Sequence, residues 1–157
     1  MDSFKKIILE ELEQSKKIIS SGAELAPRFR ILTDENDFII FTPFTNTDEK
    51  RELMKDYIKT IMLWKSAKTF IMSAEMIEPK AFSSVCINAN GSLAGLHLFN
   101  QNPLSFEPVQ WLGQEYIDPD ISEMLPRSGE ELNREQFAEA EKLFGVGGKF
   151  EVRPVLH

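Results

Sequence analysis

The sequence predicts an α+β fold: an antiparallel sheet of five or six strands in two hairpins, with a long central crossover helix on one face and N- and C-terminal helices. Three observations carry this prediction. An Asn-Gly pair at 90–91 separates two apolar segments, as in a β-hairpin. Two earlier apolar segments, 28–32 and 38–44, surround a polar stretch. Between these pairs, residues 48–67 repeat apolar side chains with the period of a helix.

The chain begins with an amphipathic segment over residues 3–20. One stripe of its helical wheel is mostly apolar and the charged side chains lie mostly elsewhere. The stripe consists of Phe4, Ile7, Ile8, Leu12, Ser15, Ile18 and Ile19. Because the polar face carries both signs of charge, we expect this helix to cover a sheet and not to bind a membrane or a partner.

The next segments predict the first hairpin and the central helix. RFRIL and FIIFTPF are strand-like, and the polar residues between them suit a longer hairpin loop. Thr47 and Asp48 then offer an N-cap, and the carboxylates of Asp48 and Glu49 complement a helix dipole. The periodic apolar side chains are Leu53, Met54, Tyr57, Ile58, Ile61, Met62 and Trp64. We therefore expect one long helix that crosses between the two halves of the sheet.

A strand over residues 69–77 leads into the second hairpin, over residues 82–99. A two-residue type I′ turn at 90–91 would place Ala89 opposite Ser92. Counting outward from that turn, Ser84 lies opposite His97.

Neither face of this second hairpin resembles a solvated surface. One face carries Val85, Ile87, Ala94, Leu96 and Leu98, and the other carries Phe82, Ser84, Cys86, Leu93, His97 and Phe99. Since a half-exposed sheet alternates apolar with strongly polar residues, we expect cover on both faces. The central helix would cover one face, and a terminal helix or a second subunit the other. Burying one aliphatic side chain contributes about 1.5–3 kcal/mol, so a homodimer is one expected arrangement.

The C-terminal part of the chain gives weaker signals. Residues 103–112 suit a short edge strand, because Pro108 has no backbone donor. Residues 113–129 are typical of a loop. A last helix, capped by Ser128 or Asn133, is expected to continue through Phe144, and an extended stretch follows it.

Length and composition predict a single domain over residues 1–157. The chain is 42% hydrophobic and 27% charged, which is ordinary for a soluble protein that buries its own core. No apolar stretch is long enough to cross a membrane, and the N-terminus lacks the apolar core of a signal peptide. The single cysteine, Cys86, excludes an intrachain disulfide. We expect a cytoplasmic protein.

The charge is acidic and unevenly spread. The net charge is −7, and residues 107–157 hold 11 acidic and 5 basic side chains, whereas residues 1–106 hold 14 and 13. Lys and Arg never occur in a run longer than two. Nucleic-acid binding needs a basic surface that displaces counterions from phosphates, so we expect none.

Ser84, Cys86 and His97 form the one polar group that resembles a catalytic site. The expected register puts His97 opposite Ser84 and diagonal to Cys86, where an imidazole could activate a hydroxyl or a thiol. Against this, the three residues lie in mid-strand, where a substrate has poor access, and a buried cysteine generally behaves as a small hydrophobe.

Two pairs of residues are candidates for binding. Phe106 and Trp111 lie in an irregular, proline-bounded segment and could form an exposed interaction surface. Arg28 and Arg30 share one strand face, where they could bind an acidic partner, although a solvated face is the more common role.

Two further motifs do not predict a cofactor or a metal. The glycine-rich GVGGK at 145–149 follows a helix, whereas a phosphate-binding loop precedes one. The acidic loop at 117–123 lacks the spacing of an EF-hand, so we expect it to be solvated. We expect no cofactor and no metal site.

These observations favour a non-enzymatic module that binds a copy of itself, another protein or a small ligand. The rival hypothesis is a small hydrolase or transferase that uses Ser84, Cys86 and His97. A third hypothesis is a sensor-like domain that holds a small apolar ligand between the central helix and the sheet.

Overall fold

The computed structural model describes residues 2–25, 27–41 and 47–155, and it has an α+β fold with an antiparallel sheet. The helices of this part of the chain are α1 (Asp2–Ser20), α2 (Asp48–Lys65), α3 (Pro119–Ser122) and α4 (Arg134–Phe144), and a 3-10 helix spans Gln114–Tyr116. The strands are β1 (Arg28–Leu32), β2 (Asp37–Phe41), β3 (Thr69–Met76), β4 (Ala81–Asn88), β5 (Gly91–Asn100), β6 (Ser105–Phe106), β7 (Gln110–Leu112) and β8 (Arg153–Pro154). The predicted fold class is confirmed; residues 42–44 of the predicted second strand lie outside the described ranges.

The strands follow the order β6-β5-β4-β3-β1-β2-β8, and β7 also pairs with β5. Strand β3 pairs with β1 on one side and with β4 on the other, so it joins the two hairpins. The described residues form eight strands where we expected five or six. The extra strands are short: the segment after β5 supplies two, and the extended stretch after α4 supplies β8.

The segment 103–112 pairs with β5 as an edge, as predicted, but it is interrupted. On β5, four positions lead from Gly95 to Phe99, whereas five lead from their partners Trp111 to Phe106. The extra residue makes a bulge between β6 and β7, where Pro108 needs no ladder hydrogen bond.

Helix α2 is the predicted crossover. Thr47 Oγ1 accepts a hydrogen bond from Lys50 N at 3.2 Å and caps the helix, as expected. The helix ends at Ser66, which adopts a left-handed conformation with φ 56°. Strands β2 and β3 are both antiparallel to β1, so α2 connects two parallel strands across it.

The turn of the second hairpin differs from the expected type I′ turn. Asn88 pairs with Gly91, so the two turn residues are Ala89 and Asn90. The side-chain oxygen of Asn88 accepts a hydrogen bond from Asn90 N at 2.8 Å and forms an Asx turn. Gly91 has φ 145°, while Asn90 does not take the positive φ that a type I′ turn requires.

The predicted register is therefore wrong by two residues. His97 lies opposite Phe82, and Ser84 lies opposite Gly95. Because side chains alternate with a period of two, an even shift leaves every residue on its predicted face and changes only its cross-strand partner.

Both faces of the sheet are covered, as predicted, by helices of the same chain. Helix α1 covers one face, and its core contains Phe4, Ile8, Leu12, Ile19, Leu25, Ile71, Phe82, Cys86 and Phe99. The other face carries α2, α3 and α4, and its core includes Phe29, Ile31, Ile58, Ile61, Met62, Phe70, Val85, Ile87, Ala94 and Phe144. The sheet thus needs no second subunit to shelter its apolar faces, and the homodimer stays a prediction without that support.

The C-terminal part of the chain completes the α2 side. Residues 113–129, predicted as a loop, include the 3-10 helix and α3. Asn133 caps α4 in a capping box with Gln136. The ring of Phe144 packs 5.6 Å from Tyr57 and 6.4 Å from Trp64, centroid to centroid, which fixes α4 against α2. Within the described ranges, no helix has the length and apolar character to cross a membrane.

Candidate functional site

The residues that the sequence singles out all lie on the α1 side of the sheet. They are Arg28, Arg30, Ser84, Cys86, His97, Phe106 and Trp111. The predicted catalytic group and the predicted binding residues therefore belong to one interface, between α1 and the sheet.

Ser84 is fully buried, and its hydroxyl is already bonded. It lies opposite Ser73 on β3, and the two Oγ atoms are 2.7 Å apart. One hydroxyl donates this hydrogen bond and the other accepts it, and because both side chains are buried, the bond gives the pair a structural role.

Cys86 is also fully buried. Burial raises the pKa of its thiol to about 12, although the nearby Arg30 charge partly opposes this shift. Since the thiolate is the nucleophilic form, a thiol with this pKa is protonated and inert near neutral pH.

His97 is 5% exposed and holds the bulged edge of the sheet. Its Nδ1 donates a hydrogen bond of 2.6 Å to the carbonyl of Glu107, which lies in the bulge between β6 and β7. In the part of the chain that the structure describes, no hydrogen bond joins His97 to Ser84 or Cys86. The fold thus places the three candidate catalytic residues on one face without joining a base to a nucleophile.

Arg28 and Arg30 are buried and paired with acidic groups of their own chain. Arg28 Nη2 lies 2.6 Å from Glu11 Oε2, and Arg30 Nη1 lies 3.1 Å from Glu11 Oε1. Arg30 also pairs with Asp37 at 2.6 Å and with Glu10 at 3.3 Å. Burial opposes the charge of Arg30, but the bonds with Asp37 and Glu11 raise its pKa above the ordinary value. The expectation of a solvated face is wrong, because α1 lies over both arginines; binding to an acidic partner stays a prediction.

Phe106 and Trp111 are half-buried at the margin of the same interface. Lys5 and Lys16 of α1 reach over them, with Nζ 5.3 Å from the Trp111 ring and 5.5 Å from the Phe106 ring. These cation–π contacts hold α1 against the edge of the sheet. Their proposed role in binding a partner stays a prediction.

Sequence reasoning missed two residues of this interface. Glu11 is buried and joins both arginines, and its position three residues after Ile8 and next to Leu12 could have revealed it. Gly95 lets α1 approach, because a Cβ there would lie 2.6 Å from Ile8 Cγ2. The glycine in a strand was the signal for that close approach.

A separate groove of about 500 Å³ lies on the α2 side, where the third hypothesis places a ligand. Its floor is the sheet surface of Phe29, Met72 and Ala74. Its walls are formed by Met54, Ile121 and Met124, and its rim by Pro27, Asp48, Arg51, Glu52, Lys55, Asp118 and Asp120. The α1 side has the buried polar groups, and this groove has open apolar surface.

Both cations of the groove are already paired. Arg51 pairs with Asp48, and Lys55 Nζ lies 2.7 Å from Glu52 and 3.2 Å from Glu123. The hydrogen bond with Glu52, together with Glu123, raises the pKa of Lys55, against the opposing effect of desolvation. The rim therefore offers no free cation among the described residues that line it.

Asp118 and Asp120 have no cationic partner among the described residues. Both are exposed, in agreement with the predicted solvated acidic loop. Across the described ranges, no group of three or more His, Cys, Asp or Glu residues could hold a metal ion. No protein-family model matches this chain, and neither a curated protein nor a solved structure matches it significantly.

Proposed function

We propose that the protein is a non-enzymatic binding domain that holds the apolar body of a small ligand in the groove between α2, the sheet and α3. The composition of the groove lining supports this proposal most strongly. Three of the six methionines of the chain, Met54, Met72 and Met124, line this groove. Methionine is flexible and polarisable, so such a surface adapts to ligands of varied shape.

The size and shape of the groove support this proposal. Pockets for small ligands span about 300–1,000 Å³, with mostly apolar linings and a few polar groups that orient the ligand. The groove has this volume, an apolar floor and a charged rim.

The buried state of the candidate nucleophiles supports a non-enzymatic role. Ser84 is bonded to Ser73, His97 is bonded to the Glu107 carbonyl, and the Cys86 thiol is protonated. An enzyme that used them would have to open the α1 interface and break these bonds. We also expect the domain to act in the cytoplasm, as its sequence predicts.

Methyl NMR tests the proposal directly. Protein labelled with ¹³C-methyl methionine is titrated with 1-octanol, a neutral apolar probe. We expect shifts in the signals of Met54, Met72 and Met124, while Met62 and Met76, which do not line the groove, stay in place. Unmoved signals at saturation of the probe, or shifts confined to Met76, would contradict the proposal.

A blocking variant adds a second test. Ala74→Phe fills the floor of the groove, and we expect it to abolish the octanol shifts. Ala138→Phe adds the same side chain to the exposed surface of α4 and serves as the matched control. Melting temperatures check that both variants remain folded, and retained binding in folded Ala74→Phe would exclude this groove.

Self-association is a second candidate function, through the end of the sheet that carries the β3–β4 and β5–β6 turns. Ile77 is 84% exposed there, and Leu104 is also exposed. Lys80 Nζ donates a 2.6 Å hydrogen bond to Gln101 Oε1 and joins the two turns. We expect sedimentation equilibrium to show a dimer that Ile77→Ser with Leu104→Ser dissociates; a wild-type monomer at all concentrations would exclude it.

A further inference from the structure

The rim of the α2-side groove has an uneven balance of charge. Its cations, Arg51 and Lys55, are both held by carboxylates of α2, and Glu123 adds a second partner to Lys55. The remaining charges on the rim, Asp118 and Asp120, are both negative. A ligand that enters this groove therefore meets a net negative rim.

The oxygens of these two carboxylates are largely free to accept hydrogen bonds. Asp118 Oδ1 accepts a bond of 3.0 Å from Asp120 N, which caps α3. The other Asp118 oxygen and both Asp120 carboxylate oxygens accept no hydrogen bond from the described part of the chain. They lie at the mouth of a groove whose floor is Phe29, Met72 and Ala74.

We propose that the ligand of this groove is a small organic cation, an amine carried on an apolar body. The apolar body lies on the floor of the groove between the methionines of its walls, and the ammonium group lies between Asp118 and Asp120. This inference rests on the proposed binding function, and it adds the sign of charge that the site selects. Charge complementarity favours the cation, because an anionic head group would meet the same carboxylates without a free cation to offset them.

Matched probes separate this inference from the binding function itself. The methionine-labelled protein is titrated with octylammonium, octanoate and 1-octanol, each below its micelle concentration or solubility limit. The three share an eight-carbon chain and differ in head-group charge. We expect the cation to bind about fivefold or more tightly than the anion at low salt, since each exposed ion pair contributes modestly. Added salt should reduce this preference.

Charge-removing variants locate the effect. In the double variant Asp118→Asn with Asp120→Asn, the Asn at 118 still caps α3, and we expect the preference for the cation to fall to about twofold or less. The control, Asp34→Asn with Glu35→Gln, removes the same net charge from the exposed β1–β2 turn and should keep the preference.

The outcomes are distinct. Shifts of Met54, Met72 and Met124 by all three probes with equal affinity would overturn the cation inference and leave the binding function standing. No shifts with any probe would overturn both. If the Asp34→Asn, Glu35→Gln control loses the cation preference to the same extent, the preference comes from the net charge of the protein. That result would overturn the role of Asp118 and Asp120.

Discussion

The two faces of the sheet differ in the polarity of the side chains that they bury. Beneath α1, the buried core includes polar residues as well as apolar ones: Glu11, Ser15, Arg28, Arg30, Ser73, Ser84 and His97. Beneath α2 and α4, the described core is almost wholly apolar, and Ser92 is its one buried polar residue. The polar side is held mainly by its own hydrogen bonds and ion pairs, although Ser15 Oγ, Arg28 Nε and Arg30 Nε have no hydrogen-bond partner among the described residues, whereas the apolar side leaves a groove open. The residues that the sequence suggests as catalytic or binding groups therefore hold α1 in place. The groove on the α2 side contains none of them.

The largest expected effect comes from the centre of the sealed side. Glu11→Ala leaves Arg28 and Arg30 buried without their shared carboxylate, so we expect a loss of about 3–5 kcal/mol in the free energy of unfolding. Urea denaturation measures this loss. Glu10→Ala, which removes a half-exposed partner of Arg30, should cost under about 1 kcal/mol. Equal effects of the two variants would contradict a sealed ion-pair cluster.

The thiol of Cys86 gives the next test of the same side. Its pKa of about 12, raised by burial, predicts that iodoacetamide reacts at pH 7.5 about a hundredfold or more slowly than with free cysteine. Reaction in urea should restore the rate of a free thiol. A native rate close to that of free cysteine would show that α1 opens readily, and it would revive the enzymatic hypothesis.

Close packing of α1 on the sheet predicts a smaller effect at Gly95. Gly95→Ala places a Cβ 2.6 Å from Ile8 Cγ2, and we expect a loss of about 1–3 kcal/mol from overpacking. Gly113→Ala is the matched control, because the atoms nearest to its Cβ would belong to the far end of the flexible Glu115 side chain. Its effect should be within about 0.5 kcal/mol, and a similar value for Gly95→Ala would place α1 farther from the sheet.

The smallest expected effect on stability comes from Glu130, on the α2 side of the sheet. The hydrogen bond from Arg127 N, with Lys59 3.0 Å away, lowers the pKa of Glu130 below 4.5. A depressed folded pKa means that this stabilisation is present above about pH 4.5 and is lost as the pH falls further. Glu130→Gln should therefore reduce stability slightly at pH 7, and by a smaller amount as the pH is lowered towards 3. A loss that is the same at both values would contradict an ionic contribution.

The sequence predicts which side chains share a face better than which ones touch. The faces of the second hairpin depend only on alternation, so they survive a register error of two residues. The cross-strand partners of Ser84 and His97 depend on the turn, and there the side chain of Asn88 forms a local Asx turn that moves the bend by one residue along the chain. The same alternation correctly predicts cover on both faces.

Other parts of the site depend on contacts between distant segments. Glu11 contacts Arg28 and Arg30 only when α1 lies on β1. Amphipathic periodicity alone shows such a glutamate as an interruption of the apolar stripe of α1, and it does not identify its partners. The groove arises where Met54, Met72 and Met124, from three separate elements, surround one space. No local pattern carries that information, so the sequence could suggest a ligand between helix and sheet without naming its lining.

One titration tests the contrast between the two sides most directly. Octylammonium is added to protein labelled at methionine methyl groups and histidine rings, and both sets of signals are followed together. We expect the signals of Met54, Met72 and Met124 to shift with one saturating curve while the His97 ring signals stay fixed. Shifts of His97 with unmoved methionines would place the binding site beneath α1 and contradict a ligand site in the α2-side groove.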